Sequence, residues 1–168
     1  MRLVAPRRIA LIGLPGAGKT VVGRCLAAHL GINFLDLDEL IVQNCAMSVA
    51  EIFELEGEAG FRKHESRILY TTNATAPSEG LVLACGGGTV LEATNRAVLK
   101  AGYEVVYLRV DASVAEARIA ETTGRPLLNN NTISQLLVQR SVLYEETASI
   151  VLDASGTIDD VVELILSE

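Results

Sequence analysis

The apolar run RRIALI, residues 7 to 12, passes without interruption into Gly13-Leu14-Pro15-Gly16-Ala17-Gly18-Lys19-Thr20, and helical apolar spacing from Lys19 to Leu30 then closes at Gly31. A short continuous apolar stretch ending in glycine reads as a buried parallel strand. The spacing G-x-x-x-x-G-K-[ST] between a strand and a helix is a phosphate-binding loop. Its glycines let backbone N–H groups converge on phosphate oxygens, and the helix adds its N-terminal dipole. A lysine at the position of Lys19 reaches the β- and γ-phosphates of a nucleotide, and a hydroxyl at Thr20 suits magnesium. Gly13, Gly16, Ala17, Gly18, Lys19 and Thr20 are thus the expected nucleotide-binding residues, with Thr20 as a ligand to Mg2+.

The 168 residues are about the size of one domain, and a 49% hydrophobic content argues against disorder. No apolar run approaches the roughly 18 residues of a membrane span. Arg2, Arg7 and Arg8 before apolar residues imitate a signal peptide, but the apolar stretch is short and runs straight into the glycine loop. Cys25, Cys45 and Cys85 are odd in number and far apart, as expected of reduced thiols in a cytoplasmic protein. A formal charge of −7 and the absence of a Lys/Arg cluster leave no nucleic-acid face. A phosphate ligand remains compatible with that charge, because a few placed arginines make a local positive site.

Further strands are expected at 32 to 36 (INFLD), 81 to 85 (LVLAC), 104 to 110 (EVVYLRV) and 148 to 154 (ASIVLDA). Ser48-x-x-Glu51 is a capping box before a long helical region, which Gly57 and Gly60 are expected to break in two. A turn cluster at 73 to 80, a helix from about Glu92 to Lys100, a loop at 122 to 131 and a closing helix at 157 to 166 complete the order. Strands alternating with helices, with no linker or repeat, give one parallel α/β domain over residues 1 to 168.

The loop identifies a phosphate donor; the acceptor needs a second site. Asp36 and Asp38 end the second strand two residues apart, so an extended backbone would point both carboxylates the same way. Beside a phosphate loop this suits one carboxylate near magnesium and one on the acceptor hydroxyl. The alternative is that Asp38 and Glu39 cap the next helix. Arg62 and Arg140 lie on helices, where arginine is commonly solvated or paired, and Glu65 is placed to hold Arg62 along one helix face. Arg125, in the Gly/Pro/Asn-rich loop, is placed to fold over a transferring phosphoryl group. His29 and His64 have no metal spacing.

Together the phosphate loop, D-x-D at 36 to 38, F-R at 61 and 62, G-G-G at 86 to 88, G-R-P-L-L from 124 and QRSVLYEE around Arg140 resemble the shikimate kinase family, in its order and over almost the whole chain. The resemblance implies a three-layer α/β sandwich with a five-stranded parallel sheet of the nucleoside-monophosphate-kinase type. A substrate region would cover about 36 to 65, and a lid about 112 to 125. It implies transfer from ATP to the 3-hydroxyl of shikimate, in the pathway to chorismate and the aromatic amino acids, by a cytoplasmic monomer without nucleic-acid or membrane partners. By the same likeness Asp38 would be the base on the shikimate hydroxyls, and Asp36 would hold Mg2+ through water. Arg62 and Arg140 would grip the substrate carboxylate beside the backbone of Gly86, Gly87 and Gly88. Arg125 would be the lid arginine on the phosphates, catalytic together with Lys19, and Arg118 would pack on adenine.

Two other readings share the scaffold. A gluconate kinase would not be expected to carry GGGTV together with Arg62. A non-catalytic ligand-sensing domain would have no need of Lys19, Thr20, Asp36, Asp38 and Arg125 together.

Overall fold

A computed structural model describes residues 7–123 and 132–168. Five strands form one parallel sheet: β1 (Arg8–Ile12), β2 (Asn33–Asp36), β3 (Leu81–Ala84), β4 (Glu104–Arg109) and β5 (Ile150–Asp153), in the order β2-β3-β1-β4-β5. β1 is central, with Ala10 in register with Leu83 on one side and Val105 on the other. Burial follows position. β3 is covered throughout and β1 nearly so, which is why both read as unbroken apolar runs, whereas the edge strands β2 and β5 are only partly covered.

The helices follow from the direction of each crossover. From β1 the chain passes through α1 (Lys19–Leu30) to β2, one way along the sheet. It then returns through α2 (Leu37–Cys45) and α3 (Val49–Ala74) to β3, through α4 (Ala93–Gly102) to β4, and through α5 (Ala112–Thr123) and α6 (Ile133–Thr147) to β5, all in the opposite sense. Right-handed crossovers of opposite sense put α1 on one face and the others across the sheet. The closing helix α7 (Ile158–Ser167) packs beside α1. This is the expected α/β architecture of a five-stranded parallel sheet between helical layers.

Local signals set the boundaries. Gly31 ends α1 in the left-handed conformation, and reciprocal capping boxes start α3 at Ser48/Glu51, α6 at Thr132/Gln135 and α7 at Thr157/Asp160. Three expectations need correction. Gly57 alone leaves helical geometry (φ 68°, ψ −176°) and kinks α3, while Gly60 stays helical, packed where a side chain would meet Glu56. The helix then runs to Ala74, into the expected turn cluster, with Thr75 as its cap. The strands are shorter than their apolar runs: β5 starts at Ile150 because α6 persists to Thr147.

Candidate active site

The C-terminal ends of β1, β2 and β3 lie side by side, and the loops leaving them form the site, as expected of an open parallel sheet. After β1, Gly13, Gly16 and Gly18 take φ of 148°, 82° and 96°, values that strain any residue with a Cβ. Lys19 opens α1 and is nearly sealed from solvent, with Nζ donating to the carbonyls of Gly13 and Leu14 at 2.8 Å each. Burial pulls its ammonium pKa down to about 8, opposed by the negative charge of Asp38 and Asp36, so it remains cationic at neutral pH.

Asp36 and Asp38 do not share a strand face. β2 stops at Asp36, which is the N-cap of α2: its Oδ1 accepts from the backbone N–H of Asp38 (3.0 Å) and Glu39 (3.3 Å). The capping aspartate is therefore Asp36, and Asp38 occupies the first helical turn. The free oxygen of Asp36, Oδ2, accepts from the Thr20 hydroxyl at 2.7 Å. Burial, then the nearby Asp36 and Glu65 carboxylates, push the Asp38 carboxyl up to about 6 against the pull of Lys19 and Arg62.

Asp38, Pro15, Gly86 and Gly87 form the shared wall of two cavities. One, of about 300 Å³, lies over the phosphate loop with Lys19, Thr20 and Asp36. The other, of about 450 Å³, is lined by Arg62, Glu65 and Arg140 and flanked by Phe53 and Phe61. Arg62, on α3 beyond the Gly57 kink, donates through Nη1 to Glu65 Oε2 (2.7 Å) and weakly through Nη2 to Glu58 Oε1 (3.4 Å), and it lies over the Phe61 ring. Glu65 is fully buried, and its Oε1 accepts from Thr89 at 2.7 Å. The Nε of both Arg62 and Arg140 is buried without a hydrogen-bond partner. Arg62 and Arg140 both line this cavity, and two cationic guanidinium groups converging on one space suit an anion.

The glycine loop after β3 fits closely among these groups. A methyl at Gly88 would collide with the Arg62 guanidinium, and one at Gly86 would stand 3.0 Å from both Asp38 Oδ1 and Glu65 Oε1. On the other side of the phosphate loop a cavity of about 640 Å³ is lined by Gly16, Val21, Arg118, Thr157 and Val161 among others. Arg118, on α5, donates to the carbonyls of Ala17 (3.2 Å), Ala154 (2.9 Å) and Gly156 (3.3 Å) and so ties the phosphate loop to the β5–α7 turn. Arg125 lies outside the described residues, as does the end of the expected lid; the part from Ala112 to Thr123 is helix α5.

Sequence reasoning passed over Phe53, used Phe61, Thr89 and Tyr144 only as parts of motifs without a role of their own, and treated Glu65 only as a helix-face partner. Tyr144 lay four residues from Arg140, a spacing that shares a helix face. Phe53 and Phe61 are on opposite sides of the kink at Gly57, so no single periodicity joins them. Among the described residues no group of three or more His, Cys, Asp or Glu is placed to hold a metal, and all three cysteines are free thiols. The pair Thr20 and Asp36 suits magnesium nonetheless, since that ion takes one or two protein oxygens and completes its shell with phosphate and water.

The family model for shikimate kinase matches residues 15–168. The chain is similar to shikimate kinase 2 of Serratia proteamaculans, 43% identical over 166 residues, covering 95% of this chain and 93% of that protein. It is also similar to the shikimate kinase of Bordetella avium, 41% identical over 152 residues, covering 88% of this chain and 71% of that one. The solved structure of shikimate kinase from Acinetobacter baumannii in complex with shikimate superimposes with a TM-score of 0.83 at 38% identity, covering 96% of this chain and 93% of that chain.

Proposed function

The chain belongs to the shikimate kinase family, and from that premise we propose that it transfers the γ-phosphoryl group of ATP to the 3-hydroxyl of shikimate, giving shikimate 3-phosphate and ADP on the route to chorismate and the aromatic amino acids. The observation that carries the acceptor assignment is the convergence of two guanidinium groups, those of Arg62 and Arg140, on one cavity that Asp38 also lines. An acceptor carboxylate there would take charge-assisted hydrogen bonds from both guanidinium groups, each contributing about 1.5–3 kcal/mol.

With the carboxylate held at that end, Asp38 faces the acceptor from the wall nearer the phosphate loop. Its carboxyl, pushed up to about 6, is mostly ionised at pH 7 yet basic enough to take a hydroxyl proton. The acceptor oxygen then attacks the γ-phosphorus, the bond to the β–γ bridging oxygen breaks, ADP departs, and the proton passes to Asp38. Lys19 and the N–H groups of Gly16, Ala17 and Gly18 stabilise charge on the transferring group and bind the β-phosphate. Bound magnesium would neutralise phosphate charge, held by the Thr20 hydroxyl and, through water, by Asp36. Adenine is assigned to the cavity of about 640 Å³ that Arg118 lines, where the carbonyl bonds of this arginine support a positioning part. The family resemblance assigns Arg125 to the lid.

The reading extends to one catalytic domain acting as a cytoplasmic monomer; no helix among the described residues is long and apolar enough to cross a membrane. The test is product identification. MgATP and shikimate should yield one phosphorylated product whose 31P signal couples to the proton on carbon 3. A product with gluconate and none with shikimate would overturn the proposal.

A further inference from the structure

The three carbonyls of the glycine loop each have a partner. That of Gly86 accepts from the Thr89 N–H (3.1 Å) and that of Gly88 from the Leu91 N–H (3.0 Å), closing the short 3₁₀ turn Thr89–Leu91. Local turn bonds leave the middle carbonyl, Gly87, to a residue 57 positions away: the Tyr144 hydroxyl donates to it from α6. A trans peptide holds a carbonyl and the next N–H antiparallel, so this one bond also fixes the direction of the Gly88 N–H.

Tyr144 is fully buried, and its ring packs on Tyr107 of β4 with centroids 5.0 Å apart. Arg140 lies one turn earlier on the same helix, near enough for its guanidinium charge to act on the same phenol. A phenol oxygen can donate one hydrogen bond and accept others. The Tyr144 oxygen is thus placed between the loop that walls the acceptor cavity and an arginine that lines it. Burial pushes the phenol up to about 12, so it stays protonated, and a donor, throughout the physiological range.

We propose that Tyr144 is a positioning residue for the acceptor cavity, its phenol joining the Gly87 carbonyl to the Arg140 guanidinium so that glycine loop and arginine present one fixed surface to the acceptor carboxylate. The proposal rests on the carboxylated acceptor assigned above. A role confined to core packing would lower the amount or stability of folded enzyme equally for every acceptor. A positioning role is felt only by acceptors that carry the carboxylate.

The test compares Tyr144→Phe with wild type on shikimate and on shikimate methyl ester. The substitution keeps the ring against Tyr107, and folding is checked by thermal unfolding. For shikimate, kcat/KM should fall about tenfold, mainly through KM, with KM for ATP and kcat/KM for the ester changed less than about twofold. In an Arg140→Ala background the same Phe substitution should cost less than about twofold, because coupled residues are not additive. Equal losses for shikimate and ester, or an undiminished loss in the Arg140→Ala background, would overturn the positioning role. Wild-type enzyme that turns over no shikimate would overturn the acceptor assignment and this role with it, an outcome distinct from an active wild type with an insensitive variant.

Discussion

Glu65 and Arg62 form a 2.7 Å ion pair in which the carboxylate is fully buried and the guanidinium nearly so. The pair aims one arginine across the cavity, and the Glu65 charge is also one of the causes that raise the Asp38 pKa. Glu65→Gln removes that charge while keeping an acceptor for Thr89. The acid limb of the rate profile should therefore move to lower pH than in wild type, with a stability loss of about 1–3 kcal/mol. The profile of kcat/KM against pH checks this; an unmoved limb would mean that Asp38 is not the group it reports.

Asp38 should destabilise the fold at neutral pH. Its native pKa of about 6 exceeds the ordinary 3.8, so between those values the native state holds more protons than the unfolded chain, and stability falls as pH rises through that window. Asp38→Asn should abolish turnover, leave ATP affinity nearly intact and unfold later than wild type at pH 7 by about 1–3 kcal/mol. The gain should vanish below pH 4. Denaturant titrations at the two pH values provide the measurement.

Gly88 gives way sterically to the Arg62 guanidinium. Gly88→Ala must displace that guanidinium, and a misplacement of about 1 Å can cost about a hundredfold in rate. The acceptor kcat/KM should drop by at least about tenfold, with ATP affinity within about twofold of wild type. Steady-state kinetics with each substrate varied in turn separates the two effects.

Arg118 joins carbonyls from two loops around the cavity assigned to adenine. Arg118→Ala should raise KM for ATP with little change for the acceptor and lower stability by about 1–3 kcal/mol. A change confined to acceptor KM would contradict that placement.

The phosphate loop and the succession of strands along the chain were legible because their signals are local: a buried parallel strand is an unbroken apolar run, and the loop glycines answer to positive φ. Asp36 and Asp38 were found from their spacing but given the wrong geometry, because the strand ends at the first carboxylate and the helix begins beneath it. The kink at Gly57 and the helical Gly60 look alike in sequence; only packing against Glu56 separates them. Tyr144 was overlooked because its partner is a backbone carbonyl 57 residues away, and such a bond leaves no pattern of residue types.

The acceptor assignment holds Arg62 and Arg140 ready for a carboxylate. Its most direct test is ADP release from MgATP by wild type and Arg62→Ala with shikimate, shikimate methyl ester, gluconate or no acceptor. Wild type should release ADP with shikimate, with a large loss for the ester and for the variant, and only background with gluconate. Equal release with shikimate and its ester, unaffected by Arg62→Ala, would contradict it.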